Sequence, residues 1–206
     1  QDTIQIENLS DSLKYFYYTG LAEVAKHRHN YVDAITYTKD IKQDRWHYHL
    51  RATCYESLGL YDLAINEYRK LPIATIKDEW LYNCYIGEVY RVWGKYSEAI
   101  PYFTKALQLI PQDSYSYYKL GWCYELSGND ETALKYYNQG IENDPTPRAW
   151  IYLMRGEMYQ KKGNYELAES DFNQILLIDK IVDDDSCRQY ALHFLGHDNY
   201  ALQWMN

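Results

Sequence analysis

Long apolar runs and long basic runs are both missing from this chain of 206 residues. No apolar segment approaches the ~18 residues that a membrane-spanning helix requires, and basic residues never form a long run. The formal net charge is −8 at pH 7, whereas a protein that binds nucleic acid carries a basic patch or stripe. We therefore expect no membrane span and no nucleic-acid partner.

Sequence motifs of catalysis are missing as well. The chain has no glycine-rich loop that could hold a phosphate and no Gly-x-Ser-x-Gly turn. Glu88, Glu125 and Glu157 are spaced to lie on an open surface of successive helices. Catalytic acid–base pairs instead need a shielded pocket that shifts their pKa values. We expect a protein that is not an enzyme and that carries no cofactor.

Histidines occur in close pairs, but the spacing of these pairs does not favour a metal site. His47 and His49 are two residues apart, so on a helix they face different ways. His27 and His29 fall at a turn, and two ligands without a cysteine or carboxylate nearby make a weak site. We expect ordinary histidines and no bound metal.

A glycine that is followed five residues later by an alanine recurs along the chain. Successive copies are separated by 35, 34, 35 and 33 residues, which indicates one supersecondary unit copied end to end. We name these glycines the ladder glycines. The pairs are Gly59/Ala64, Gly94/Ala99, Gly128/Ala133, Gly163/Ala168 and Gly196/Ala201.

Residue spacing on both sides of each ladder glycine is helical. Tyr117, Gly121 and Tyr124 share one helix face before Gly128, and Ala133 with Tyr137 share another after it. A left-handed glycine commonly ends a helix. Each copy is therefore predicted to be two antiparallel helices joined by about three residues.

Small residues also recur in the middle of the predicted first helices, for example Gly121 and Gly156. Glycine inside a helix costs roughly 1 kcal/mol against alanine. We expect a close backbone approach of the partner helix to explain them, while the aromatic residues fill the groove between successive hairpins.

These residues resemble the tetratricopeptide repeat family, and the resemblance covers nearly the whole chain. A copy at residues 15–44 is degenerate, with His29 in place of the glycine. The resemblance implies an all-α, right-handed α-solenoid of about five helical hairpins plus a truncated C-terminal closing unit. We expect one domain, residues 1–206. The predicted repeats span 15–44, 45–79, 80–113, 114–148 and 149–182, and the closing unit spans 183–206. The clearest copy has Gly87, Tyr90, Gly94, Tyr96, Ala99, Phe103, Ala106 and Pro111 in the family order.

A second stripe of residues lies 13, 10, 6 and 3 positions before each ladder glycine. In the tetratricopeptide repeat family this stripe lines the concave groove that holds peptides, so the resemblance implies an aromatic and acidic groove here. The alternative is that some of these rings pack between neighbouring hairpins. The candidate peptide-binding residues are Trp46, His49, Glu88, Arg91, Tyr115, Tyr118, Trp122, Glu125, Trp150 and Glu157.

Some members of the family grip the C-terminal carboxylate of chaperones with several groove cations and asparagines. Of the corresponding positions here, only Lys119 could serve. Because a carboxylate needs several charge-assisted donors, we do not expect this role.

The sequence thus favours a non-catalytic scaffold that binds a protein or peptide, with apolar or basic segments preferred over acidic ones. One alternative is a structural adaptor that acts through its convex face or by self-association. The apolar terminus with Phe194, Leu195, Trp204 and Met205 would serve that role. Another alternative is a receptor for a small molecule or glycan that stacks on the aromatic groove.

The start of the chain and its cysteines bear on the compartment of the protein. The chain begins with Gln-Asp-Thr, which we interpret as a mature terminus after removal of a secretion signal; a trimmed chain is the alternative. We expect a periplasmic or secreted protein, with the cytoplasm as the alternative. Cys54 and Cys123 share a repeat position two repeats apart, too far for the ~7 Å limit of a disulfide. We expect free thiols packed in the core.

Overall fold

The computed structural model describes residues 10–39, 43–178 and 185–196. All regular secondary structure in these ranges is α-helical, which confirms the prediction of an all-α fold. The helices are α1 (Asp11–His27), α2 (Tyr31–Tyr37), α3 (Arg45–Ser57), α4 (Tyr61–Tyr68), α5 (Ile76–Val92), α6 (Tyr96–Leu109), α7 (Ser114–Leu126), α8 (Asp130–Asn143), α9 (Ala149–Lys161), α10 (Tyr165–Leu177) and α11 (Asp185–Phe194).

The chain divides into two compact units, Gln1–Gly94 and Lys95–Asn206, which we call the N-terminal unit and the C-terminal unit. In the N-terminal unit α1 packs on α2, and α3 packs on α4. In the C-terminal unit α7 packs on α8, and α9 packs on α10. These pairs are the helical hairpins that the repeats predict. That the chain forms a single domain stays a prediction.

The start of α5 differs from the expected boundary of the third repeat. The helix begins at Ile76, four residues before the predicted start at residue 80. The Thr75 side chain accepts a hydrogen bond from the backbone N–H of Asp78, and the Asp78 carboxylate accepts one from the backbone N–H of Thr75. Such a capping box satisfies two backbone donors that a helix start leaves open, so the helix begins there.

The ladder glycines end the first helix of each hairpin, as predicted. All five adopt the left-handed conformation, with φ between 71° and 81°, where a residue with a Cβ costs roughly 1–2 kcal/mol. His29 stands at the ladder position of the first repeat with φ of 59°. The degenerate repeat therefore keeps the same turn without its glycine.

The mid-helix glycines of the C-terminal unit lie against aromatic rings. A Cβ atom on Gly121 would come 2.5 Å from Cε1 of Tyr137, and one on Gly156 would come 2.7 Å from Cε1 of Phe172. The expected reason, a close approach of the partner backbone, is therefore wrong at these positions. The ring of the second helix fills the space that a side chain of the first helix would need.

Buried ion pairs hold two of the hairpins together, and the sequence analysis missed them. Arg51 of α3 donates to Glu67 of α4 at 2.8 Å, and Arg155 of α9 donates to Asp171 of α10 at 2.6 Å. Both arginines stand eight residues before a ladder glycine and both carboxylates eight after one. Arg155 also donates to Asn138 of α8, so this pair also ties neighbouring hairpins.

The cysteines and the C-terminal helix complete the core. Cys54, Cys84, Cys123 and Cys187 are buried free thiols, in agreement with the expectation of thiols in the core. Phe194 stacks on Phe172 with ring centroids 4.9 Å apart, so the ring serves core packing. Trp204 and Met205, which the self-association hypothesis invoked, lie outside the described residues, as does the rest of the closing unit after Gly196.

Candidate functional site

Two of the candidate residues, Trp46 and His49, line a cavity of about 500 Å³ in the N-terminal unit. They project from α3, while Leu81 and Tyr85 project into the same cavity from α5. Trp46 is half-buried and packs against the apolar core that α1, α2 and α3 share. The cavity thus has a largely apolar interior to which two first helices contribute, and a binding role of Trp46 and His49 stays a prediction. The full lining is Asp44, Arg45, Trp46, His49, Leu71, Pro72, Asp78, Leu81 and Tyr85.

His49 contributes an uncharged ring to this cavity at neutral pH. Its ring centroid lies 5.0 Å from that of Tyr85 and 5.9 Å from that of Tyr68, both edge-on. Burial lowers the pKa of His49, and the positive charge of Lys26 lowers it further. Because an unperturbed histidine already has a pKa near 6.5, the ring is neutral at pH 7.

Charged groups stand at the rim of the cavity, each held by neighbours. The Asp78 carboxylate lies 2.7 Å from the Arg45 guanidinium, and the hydrogen bond from Thr75, followed by that from Arg45, holds the pKa of Asp78 at about 2. Burial alone would raise the pKa of Asp44, but hydrogen bonds from Tyr15 and His47 outweigh it, and the pKa lies below its ordinary value. Both rim carboxylates are therefore ionised at neutral pH.

The candidate residues Glu88 and Arg91 form an ion pair with each other on α5. Arg91 donates to both carboxylate oxygens of Glu88, at 2.7 and 2.9 Å. Glu56 of α3 accepts a hydrogen bond of 2.7 Å from the Tyr68 hydroxyl. Burial raises the pKa of Glu56, and the charge of Glu88 raises it further. The first-helix face of the N-terminal unit thus carries carboxylates beside the apolar cavity.

In the C-terminal unit three candidate rings surround a lysine. The Lys119 ammonium lies 5.4, 5.1 and 5.1 Å from the ring centroids of Tyr115, Tyr118 and Trp122. Tyr118 and Lys119 are each only 6% exposed, while Tyr115 and Trp122 are half-buried. Tyr118 is therefore a core ring rather than the exposed groove residue that we expected. Burial also keeps Lys119 from acting as an open carboxylate-binding cation.

The remaining candidates of the C-terminal unit are Glu125, Trp150 and Glu157. Glu125 accepts hydrogen bonds from the Tyr137 hydroxyl at 3.1 Å and from Lys161 at 3.0 Å. Burial raises the pKa of Glu157, and the charge of Glu125 raises it further. Trp150 is half-buried and packs on the core of this unit, as the packing alternative allowed. A role of these residues in binding stays a prediction.

Only Trp46 and His49 of the cavity wall were candidate residues, and sequence reasoning missed several others that matter for its chemistry, Arg45 among them. Leu71 and Pro72 come from the irregular link after α4, and Tyr85 stands one position C-terminal to Cys84, the candidate-stripe residue of α5. Asp44 and Asp78 could have been recognised in the sequence as capping residues, because each stands at the start of a helix. The link between α4 and α5 interrupts the repeat pattern, but its sequence does not indicate the direction in which the chain turns.

The described residues show neither a cluster of metal ligands nor a membrane-spanning helix. Among residues 10–39, 43–178 and 185–196, no three His, Cys, Asp or Glu side chains come together as a metal site would require. Over the same part of the chain, none of the helices combines the length and apolarity needed to cross a bilayer.

Comparison with known proteins places most of these helices in one family of repeats. The tetratricopeptide repeat model matches residues 78–146, and a second model of the same repeat matches residues 48–71 and 151–181. MamA 41-end from Desulfovibrio magneticus RS-1 superposes with a TM-score of 0.59 at 20% identity, covering 83% of this chain and 98% of that one. At this identity the likeness shows the fold alone.

Two curated relatives match shorter stretches. Cell division cycle protein 16 homolog from Homo sapiens is 40% identical over 63 residues, which are 30% of this chain and 10% of that protein. Photosystem I assembly protein Ycf3 from Cyanophora paradoxa is 34% identical over 90 residues, which are 39% of this chain and 52% of that protein. The chain thus spans between a tenth and about half of the length of these relatives.

Proposed function

The chain belongs to the tetratricopeptide repeat family, and we propose that it is a non-catalytic scaffold that binds a peptide segment of a partner protein along its first helices. Members of this family are in general protein-interaction scaffolds, and stacked repeats offer an extended surface rather than a reaction centre. One relative is named for the assembly of photosystem I, which supports a role of this chain in holding protein partners together.

The observation that carries the peptide-binding proposal is the cavity beside Trp46 and His49. A concave site with an apolar interior and a few polar groups at its rim is the usual form of a binding site. Tryptophan and tyrosine are also the residues that most often dominate binding energy at interfaces. Carboxylates of the same face, among them Glu56 and Glu88, favour a basic or neutral segment over an acidic one.

The test is a selection of twelve-residue peptides from a random display library against the folded chain, followed by titration of the selected peptides by fluorescence anisotropy. Trp46→Ala and Trp122→Ala remove one candidate ring in each compact unit. Phe16→Ala serves as the control, because Phe16 is 70% exposed on α1 and lines no part of the cavity. Far-UV circular dichroism verifies that each variant is folded.

We expect at least one of the two tryptophan variants to weaken binding tenfold or more, since truncation of a central interface aromatic costs about 2 kcal/mol or more. The control should bind as the wild type does. Selected peptides that bind all variants with equal affinity would refute the first-helix face as the binding surface. If self-association is the main activity, the molecular mass in solution should depend on protein concentration. If sugar binding is the main activity, sugars should displace the peptides.

A further inference from the structure

The cavity of the N-terminal unit exists because α4 ends early. α4 is 8 residues long and stops at Tyr68, whereas α8, the second helix of the hairpin that begins with α7, is 14 residues long. The chain between α4 and α5 turns aside instead of continuing as a helix. This link contributes Leu71 and Pro72 to the cavity wall.

In the C-terminal unit the second helix continues past the position that corresponds to the end of α4. There α8 continues for two more turns, and Gly140 in its last part lies so close to Ile151 of α9 and Tyr117 of α7 that no Cβ atom would fit. Ser114 at the start of α7 binds both Asp144 and the backbone N–H of Arg148, just before α9. The last part of α8 thus packs on both neighbouring first helices, whereas α4 stops before it reaches the corresponding position.

The side chains that form the interior of the cavity carry no charge at pH 7. Trp46, Leu81 and Tyr85 supply apolar surface, and His49 is neutral at pH 7. The volume of about 500 Å³ falls within the range of roughly 300–1,000 Å³ that ligand pockets have. It therefore has room for a large side chain and part of the backbone that carries it.

The rim has a charge pattern that constrains the neighbours of such a side chain. Asp44 and Asp78 are both ionised, while Arg45 is the cation among the residues that line the cavity and is bound to Asp78 at 2.7 Å. Among the lining residues two carboxylates stand against one guanidinium, with Lys26 of α1 as a further cation that acts on His49. The carboxylates of the lining attract cations and repel other carboxylates over the distances of a short peptide.

We propose that this cavity is an anchor pocket for one large apolar side chain, tryptophan, phenylalanine or leucine, of a partner segment that carries lysine or arginine beside it. The inference rests on the proposed peptide-binding function and deepens it, because it assigns the occupant of one site. The early end of α4 is then the feature of this hairpin that opens the site.

The test uses three capped pentapeptides, titrated separately into isotope-labelled protein and followed by NMR chemical shifts of the leucine methyl groups. Their sequences are Gly-Lys-Trp-Lys-Gly, Gly-Lys-Ala-Lys-Gly and Gly-Glu-Trp-Glu-Gly. Leu81→Trp fills the cavity. Leu63→Trp is the matched control, because Leu63 is 43% exposed on α4 of the same unit and does not line the cavity.

We expect the tryptophan peptide with lysines to bind at least tenfold more tightly than its alanine counterpart, since only tryptophan can bury a large apolar side chain in the cavity. Glutamates in place of the lysines should weaken binding several-fold. The Leu81→Trp variant, verified as folded by circular dichroism, should lose the preference for tryptophan, and Leu63→Trp should keep it.

Two results would overturn the anchor pocket. One is equal affinity of the tryptophan and alanine peptides for the wild type, and the other is an unchanged tryptophan preference in Leu81→Trp. Either result leaves the proposed function standing if peptides from the display library still depend on Trp122. Conversely, the pentapeptides could bind as expected while no library peptide depends on Trp46 or Trp122. The proposed function would then be wrong, and the anchor pocket would stand.

Discussion

Replacement of Gly121 by alanine should destabilise the protein, although alanine is the better helix former. The new Cβ atom would lie 2.5 Å from Cε1 and 2.7 Å from Cδ1 of Tyr137, well inside van der Waals contact. The Tyr137 ring is fully buried, and its hydroxyl donates to Glu125 at 3.1 Å. The ring therefore cannot move away without loss of its packing and its hydrogen bond.

The expected magnitude follows from two opposing contributions. The change from glycine to alanine inside a helix gains roughly 1 kcal/mol. Overpacking of a well-packed core costs typically 1–3 kcal/mol, and the rigid ring at this site places the cost at about 3 kcal/mol. The free energy of unfolding should fall by about 2 kcal/mol, which for a chain of this size lowers the melting temperature by roughly 4–8 °C.

Gly20 provides the matched control in another helix. It lies in the middle of α1, is exposed, and has no heavy atom within 4 Å of the place where a Cβ would stand. Gly20→Ala should therefore raise the free energy of unfolding by about 0.5–1 kcal/mol. Urea unfolding followed by circular dichroism at 222 nm measures both variants against the wild type.

The double variant Gly121→Ala, Tyr137→Leu separates the clash from other effects. With the ring gone, addition of the Cβ atom at residue 121 should become neutral or stabilising relative to Tyr137→Leu alone. A Gly121→Ala variant as stable as Gly20→Ala would refute the argument that the ring of the second helix dictates glycine at this position.

Further predictions concern the buried charges of the C-terminal unit. Arg155→Ala should lower the free energy of unfolding by about 3–5 kcal/mol, because it leaves the carboxylate of Asp171 buried without its ion pair; a loss below 1 kcal/mol in urea unfolding would contradict this. Glu157→Gln should stabilise the protein at pH 7 by on the order of 0.5 kcal/mol. The reason is that burial and Glu125 raise the pKa of Glu157 in the folded state, so stability is lost as pH rises through the raised pKa. The gain should shrink as the pH falls below the ordinary glutamate pKa of about 4.3 and should be lost near pH ~3, where both states hold the proton. Glu169→Gln, at an exposed residue, is the control for removal of a surface charge.

The repeat positions were predictable because backbone conformation depends mainly on local sequence. The ladder glycines end helices where a left-handed residue is needed, and His29 keeps that turn because one residue can tolerate the strain. The start of α5 could also have been predicted, since Thr75 and Asp78 have the spacing of a capping box. The predicted boundary at residue 80 instead lies four residues after the start of α5.

The candidate site was predictable only in part, because the stripe says which face a residue occupies and not what packs on that face. Trp46 and His49 line one cavity, whereas Tyr118 of the same stripe is buried beside Lys119. Sequence alone does not distinguish these cases, since burial depends on where the neighbouring hairpin ends.

The sequence by itself determined the helices, their pairing into hairpins and the family, because periodic spacing and left-handed glycines act within one repeat. The tertiary structure decided where space remains, since the cavity depends on an early end of α4 and on a link that turns aside between two helices. Helices and hairpins are set by contacts between residues that are near in sequence. The remaining space is set by how closely the side chains of separate helices pack against one another.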